Sequence, residues 1–75
     1  MNTLDLHGIR HEAARKQTIK FIEDAFGKYN QVEIVTGHSK EMQKIVTQIL
    51  DEYKLVYHIG GWLGMNPAII NVDID

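Results

Sequence analysis

Asp5 and His7 stand two apart in the segment Leu4-Asp5-Leu6-His7-Gly8. In an extended strand, side chains two apart leave on the same face, so carboxylate and imidazole can be neighbours while Leu4 and Leu6 face the other way. A carboxylate beside an imidazole fixes its tautomer and raises its basicity, which suits a general base that takes a proton from water or a ribose 2'-hydroxyl. The plainer reading is a half-exposed strand pair with no chemistry, and the spacing alone leaves both open.

Arg10, His11, Arg15 and Lys16 follow at the start of a predicted helix. The helix dipole is already positive there, so each cation is disfavoured by roughly 0.3 to 1 kcal/mol. A phosphate held by the free backbone N–H groups and these side chains would offset that cost. A solvated basic face is the alternative: Glu12 compensates in part, and Asp51 and Glu52 oppose the dipole at the end of a second helix. Gly37-His38-Ser39-Lys40 forms another loop leading into a helix, with Lys44 one turn on, and offers room for a neighbouring phosphate. The same pattern is also the ordinary way to begin a helix. Trp62, among Gly60, Gly61 and Gly64, is either a lid on the core, the reading slightly favoured, or a stacking platform for a base or a protein partner. The four histidines show no metal-ligand spacing, His58 reads as a strand surface residue, and no cysteine is present. No metal site and no cofactor is expected.

The elements that would position these residues follow from periodicity. Thr3 to His7 alternates as a strand, and Gly8 breaks it. From about His11 to Tyr29, the residues Ala14, Thr18, Phe21, Ile22, Ala25 and Tyr29 form one helical stripe. Gln31 to Thr36 is β-branched and ends at Gly37, as a strand running into a tight loop. A second helix begins near Ser39, its plausible N-cap, with the stripe Met42, Ile45, Val46, Ile49, Leu50 and Tyr53. Lys54 to Ile59 and Ala68 to Ile74 read as strands around the glycine-rich loop.

The order predicts an α/β fold, a two-layer βαβαββ sandwich in which a four-stranded mixed sheet carries two helices on one face. Right-handed crossovers make the first three strands parallel, and a hairpin returns the fourth beside the third. In such a sheet the loops after the strand C-terminal ends share one edge with the helix N-termini. His7 to His11, Gly37 to Lys40 and Gly60 to Asn66 therefore converge.

Composition sets the outer bounds. Seventy-five residues hold one domain, taken as 1–75. No signal-peptide pattern or membrane-length apolar run occurs, so the cytoplasm is the expected compartment and no membrane the expected partner. The formal charge of -2 is not that of a broadly basic nucleic-acid binder. The charge is nevertheless uneven. From His7 through Lys44, Arg10, Arg15, Lys16, Lys20, Lys28, Lys40 and Lys44 stand against Glu12, Glu23, Asp24, Glu33 and Glu41, a net +2. The remainder sets Lys54 against Asp5, Asp51, Glu52, Asp73 and Asp75, a net -4. No uninterrupted exposed apolar stripe demands a dimer, so a monomer is expected.

Three segments in order then carry a resemblance: Leu4-Asp5-Leu6-His7-Gly8 followed by Glu12-Ala13, Val32 to Gly37 ending in Thr36-Gly37, and Gly60-Gly61 with Gly64 before a closing strand. Along nearly its whole length the chain resembles the small MutS-related, or Smr, domain. The resemblance implies a four-stranded sheet with two helices, similar to the C-terminal domain of a translation initiation factor. It also implies binding to DNA or RNA, several members being endonucleases that nick DNA or cut RNA, including mRNA on stalled ribosomes. The motif Asp and His, associated with cleavage, correspond to Asp5 and His7, and the Thr-Gly loop, associated with nucleic-acid contact or activity, to Thr36 and Gly37. Where that loop's Thr-Gly-x-Gly signature has its second glycine, this chain has Ser39. Stand-alone members commonly carry an N-terminal extension, so a domain cut from a larger polypeptide and a minimal version are both expected readings.

Two functions are therefore carried forward. The first is an endonuclease, RNA preferred over DNA, with Asp5 and His7 catalytic and Gly8, Arg10, His11, Arg15, Thr36, Gly37, His38, Ser39, Lys40 and Trp62 contacting nucleic acid. The second is a non-catalytic module binding nucleic acid, the ribosome or a protein partner through the same edge.

Overall fold

The amphipathic stripes fold into β1 (Asn2–Asp5), α1 (His11–Ala25), β2 (Gln31–Val35), α2 (Lys40–Glu52), β3 (Val56–Ile59) and β4 (Ile69–Asp73). The structure is a computed structural model and describes residues 2–60 and 66–74; the expectations for Trp62 and its neighbouring glycines Gly61 and Gly64 lie outside them.

The sheet order is β1-β2-β4-β3. β1 and β2 are parallel, and β4 is antiparallel to both β2 and β3, so β1, β2 and β3 run the same way. The predicted hairpin is present, but β4 also inserts between β2 and β3. Burial explains the placement. Ile70, Asn71 and Val72 of β4 are buried, as suits a central strand, whereas Val56, His58 and Ile59 of β3 are exposed, as suits an edge.

Alternate residues Val32 and Ile34 of β2 and Ile70 and Val72 of β4 turn towards the helices. They join Leu6, the α1 residues Ala14, Ile22 and Ala25, and the α2 residues Met42, Val46 and Leu50 in one core. The helices thus share one sheet face, and the side chains of the site are mounted on a single packed body.

Element ends differ from the predicted ones for local reasons. β1 stops at Asp5 rather than His7. Leu6 still donates its N–H to the Val35 carbonyl at 2.8 Å, but His7 and Gly8 then turn the chain, closed by the Ile9 N–H donating to the Leu6 carbonyl at 3.0 Å. α1 ends at Ala25 rather than Tyr29, because Phe26 and Gly27 form a turn in which Lys28 N–H donates to the Ala25 carbonyl at 3.0 Å. Past α2, Leu55 N–H donates to the Leu50 carbonyl and Lys54 N–H to the Asp51 carbonyl, both at 3.0 Å. This is the Schellman arrangement, with Lys54 at φ 58 where glycine is usual, and it delays β3 to Val56.

Candidate functional site

The parallel pairing of β1 with β2 brings the loops after them to one edge, beside the starts of α1 and α2. Asp5, His7, Gly8, Arg10 and His11 arrive from the first loop; Gly37, His38, Ser39 and Lys40 arrive from the second.

Asp5 does not use its carboxylate as the strand spacing predicts. Its Oδ1 accepts a hydrogen bond from the His7 backbone N–H at 2.9 Å. Such a side-chain-to-backbone bond two residues on is the Asx-turn pattern, so Asp5 shapes the turn that presents His7. The imidazole lies instead beside the second loop. A Cβ built on Gly37 would sit 3.4 Å from His7 Cδ2, an ordinary van der Waals distance, which places the ring next to Gly37. Gly37 has φ +70, in the left-handed region where a Cβ costs roughly 1 to 2 kcal/mol. Its lack of a side chain thus serves the turn, while a Cβ there would meet the His7 ring at no closer than ordinary contact distance. His7 and His38 are exposed to solvent.

Thr36 anchors this second loop from below. It is only 3% exposed, its N–H donates to the Ala68 carbonyl at 2.7 Å, and its hydroxyl lies 2.9 Å from the Gly37 carbonyl and 3.2 Å from that of Ala68. Further bonds secure the chain leading into β4: Gln43 Nε2 donates to the Pro67 carbonyl, and Asn66 Oδ1 accepts from Ala68 N–H at 3.1 Å. These partners were not singled out in the sequence. Asn66-Pro67 was visible as a turn dipeptide, but nothing marks Gln43 as reaching a carbonyl 24 residues away.

The helix starts differ. Ser39 Oγ accepts from Met42 N–H at 3.1 Å, so the hydroxyl standing where the motif has glycine caps α2. Arg10 occupies the cap position of α1, and no side chain caps that helix. His11 Nδ1 lies 3.3 Å from Glu41 Oε2, a contact joining the two helix starts. Lys16, Lys40 and Lys44 are exposed, whereas Arg15 is drawn to Glu52, the last residue of α2, at 3.3 Å. Among the described residues, no three His, Cys, Asp or Glu side chains gather as a metal site, and no helix is long and apolar enough to cross a membrane.

What the edge offers is an exposed imidazole on a fixed turn, flanked by cations and an uncapped helix start. It can orient an anion and exchange a proton with it. The family profile described as the Smr domain matches residues 4–70, a span holding both loops. No curated protein and no solved structure matches the chain.

Proposed function

The chain belongs to the Smr domain family, a nucleic-acid-binding, nuclease-type kind of module, and from that premise we propose an endonuclease that cuts RNA in preference to DNA at the β1/β2 edge. The observation that carries the reading is the proximity of the His7 ring to Gly37, which brings the two motif loops together at the helix starts.

In this reading phosphates rest at the beginnings of α1 and α2, where unpaired N–H groups and the positive dipole ends favour anions. His7 accepts the proton of a ribose 2'-hydroxyl; the 2'-oxygen bonds to the adjacent phosphorus, the bond from phosphorus to the 5'-oxygen breaks, and the departing oxygen takes a proton from solvent. The products are a 2',3'-cyclic phosphate and a 5'-hydroxyl. Arg10 and Lys40 offset the charge that builds on the phosphate. Asp5 acts through the backbone, holding the His7 turn, and Thr36 acts from the interior, holding the second loop. Gly8, Gly37 and His38 are the loop positions that meet the ligand. On DNA, which lacks the 2'-hydroxyl, water would have to attack.

Labelled single-stranded RNA, hairpin RNA and supercoiled DNA incubated with the purified chain test this. RNA cutting with cyclic-phosphate ends is expected; fragments ending in 5'-phosphate would point to water as the nucleophile and remove the proposed step. A non-catalytic binding module is the second reading, favoured by one observation: the Asp5 carboxylate is committed to the His7 backbone rather than its ring. Salt-sensitive binding without cutting would support it.

A further inference from the structure

Resting on the nucleic-acid reading of this edge, we infer that Glu41 is a built-in competitor for phosphate, its carboxylate occupying the position at His11 that an RNA phosphate takes on binding. Glu41 lies in the first turn of α2, and its Oε2 reaches across to His11 Nδ1, at the first residue of α1, at 3.3 Å. A carboxylate is stable there for the reasons a phosphate would be: two helix starts meet, no side chain caps α1, and Arg10 and Lys40 stand on the same edge.

The contact is also built to yield. The side chains of His11 and Glu41 are 48% and 79% exposed, and a polar contact so open to water is weak. Both residues belong to helices packed on one core, so release needs only a change of the Glu41 rotamer. Once released, His11 donates Nδ1–H to the incoming phosphate, and the Glu41 carboxylate swings into solvent. Glu41 thereby lowers affinity for single anions more than for a polyanion, whose other phosphates engage Arg10 and Lys40 at the same time.

General repulsion by any acid near a cationic edge would also weaken binding, so the test must isolate the pair. Anisotropy of a labelled single-stranded RNA is measured with wild type, Glu41→Ala, His11→Ala, the double variant, and Glu12→Ala as a like-charge control beside His11. Glu41→Ala is expected to tighten binding by about two- to fivefold in the wild-type background and by less than about 1.5-fold when His11 is absent. Glu12→Ala should tighten it less than Glu41→Ala. In free protein, the His11 ring resonances should shift in Glu41→Ala. Equal tightening in both backgrounds, weaker binding in Glu41→Ala, or unmoved His11 resonances overturns the inference while leaving RNA binding intact. Absence of RNA binding by every protein overturns it together with the nucleic-acid reading.

Discussion

The end of the molecule formed by Phe26 to Asn30 has a hollow and exposed aromatic rings, yet the end formed by His7 and Gly37 has the convergent chemistry. At the first end, a cavity of about 310 Å³ is lined by Phe26, Gly27, Lys28, Tyr29, Asn30 and Ile74. Phe26 and Tyr29 are 43% and 40% exposed, and Phe26 stacks on Tyr53 with ring centroids 6.1 Å apart. Polar groups near it satisfy one another: Tyr53 donates its hydroxyl to Glu23 at 2.6 Å, and Gln31 Nε2 donates to Asp73 at 3.3 Å. The helices also finish there, with the negative ends of their dipoles, which disfavours phosphate. At the second end the helices begin, and the His7 imidazole lies beside the Gly37 loop. The hollow lined by Phe26 to Asn30 thus lies away from the candidate site, and the direction of the helices favours an anion at the other end.

A matched pair of substitutions sharpens this contrast most. Gly37 and Gly27 both have positive φ, +70 and +80, but a Cβ at Gly27 meets nothing within 4 Å whereas one at Gly37 meets the His7 ring. Alanine at either site should cost about 1 to 2 kcal/mol in urea unfolding. Only Gly37→Ala should also slow single-turnover RNA cleavage, by about threefold, because relief of its strained backbone moves the loop beside His7, among molecules that remain folded. An equal loss in Gly27→Ala would break the assignment of function to the His7 edge.

Smaller effects test the supports of each end. Ser39→Ala removes the α2 cap and should lower stability by about 1 kcal/mol, whereas Ser39→Gly should cost only a few tenths. Denaturant midpoints check both, and a gain of cleavage in Ser39→Gly would show that the cap was acquired at the expense of the loop. Lys54→Gly relieves the left-handed backbone after α2 and should raise stability by about 0.5 kcal/mol, because the greater freedom of glycine in the unfolded chain cancels part of the gain.

The weakest prediction concerns alkali. The hydrogen bond to Glu23, with burial and the nearby Glu23 and Glu52 charges, pushes the Tyr53 phenol up; burial first, then Asp51, does the same for Tyr57. The native state therefore holds these protons where the unfolded chain releases them. Their contribution is complete below the ordinary phenol value near 10 and is lost as pH rises through the raised values. Tyrosinate absorbance should show two late-titrating phenols, and Tyr53→Phe should remove one of them.

Much of this was legible because helices advertise themselves at short range. The α2 residues Met42, Val46, Ile49 and Leu50 recur at helical spacing and are all buried, and Ser39 reads as a cap from its type and position. Tyr29 matches the α1 stripe equally well, but the Phe26-Gly27 turn removes it from the helix, a change of direction that spacing cannot reveal. The place of β4 depends on pairing with residues almost forty positions away in β2, for which the local pattern holds no information. At the site, the meeting of the first two loops at one edge was predictable from strand direction. The use of the Asp5 carboxylate was not, because same-face geometry holds only while the strand continues, and β1 stops at Asp5 itself. The contact between His7 and Gly37 spans the two loops and became visible only once β1 and β2 were paired.

The central proposal is that His7, beside Gly37, moves the proton in RNA cleavage. It is tested most directly by the single-turnover rate of hairpin RNA cutting in His7→Ala, compared with wild type at equal folded concentration. Loss of the exposed ring should leave the unfolding midpoint nearly unchanged and lower the rate by about 100-fold or more. Equal cutting by the two proteins would contradict the account.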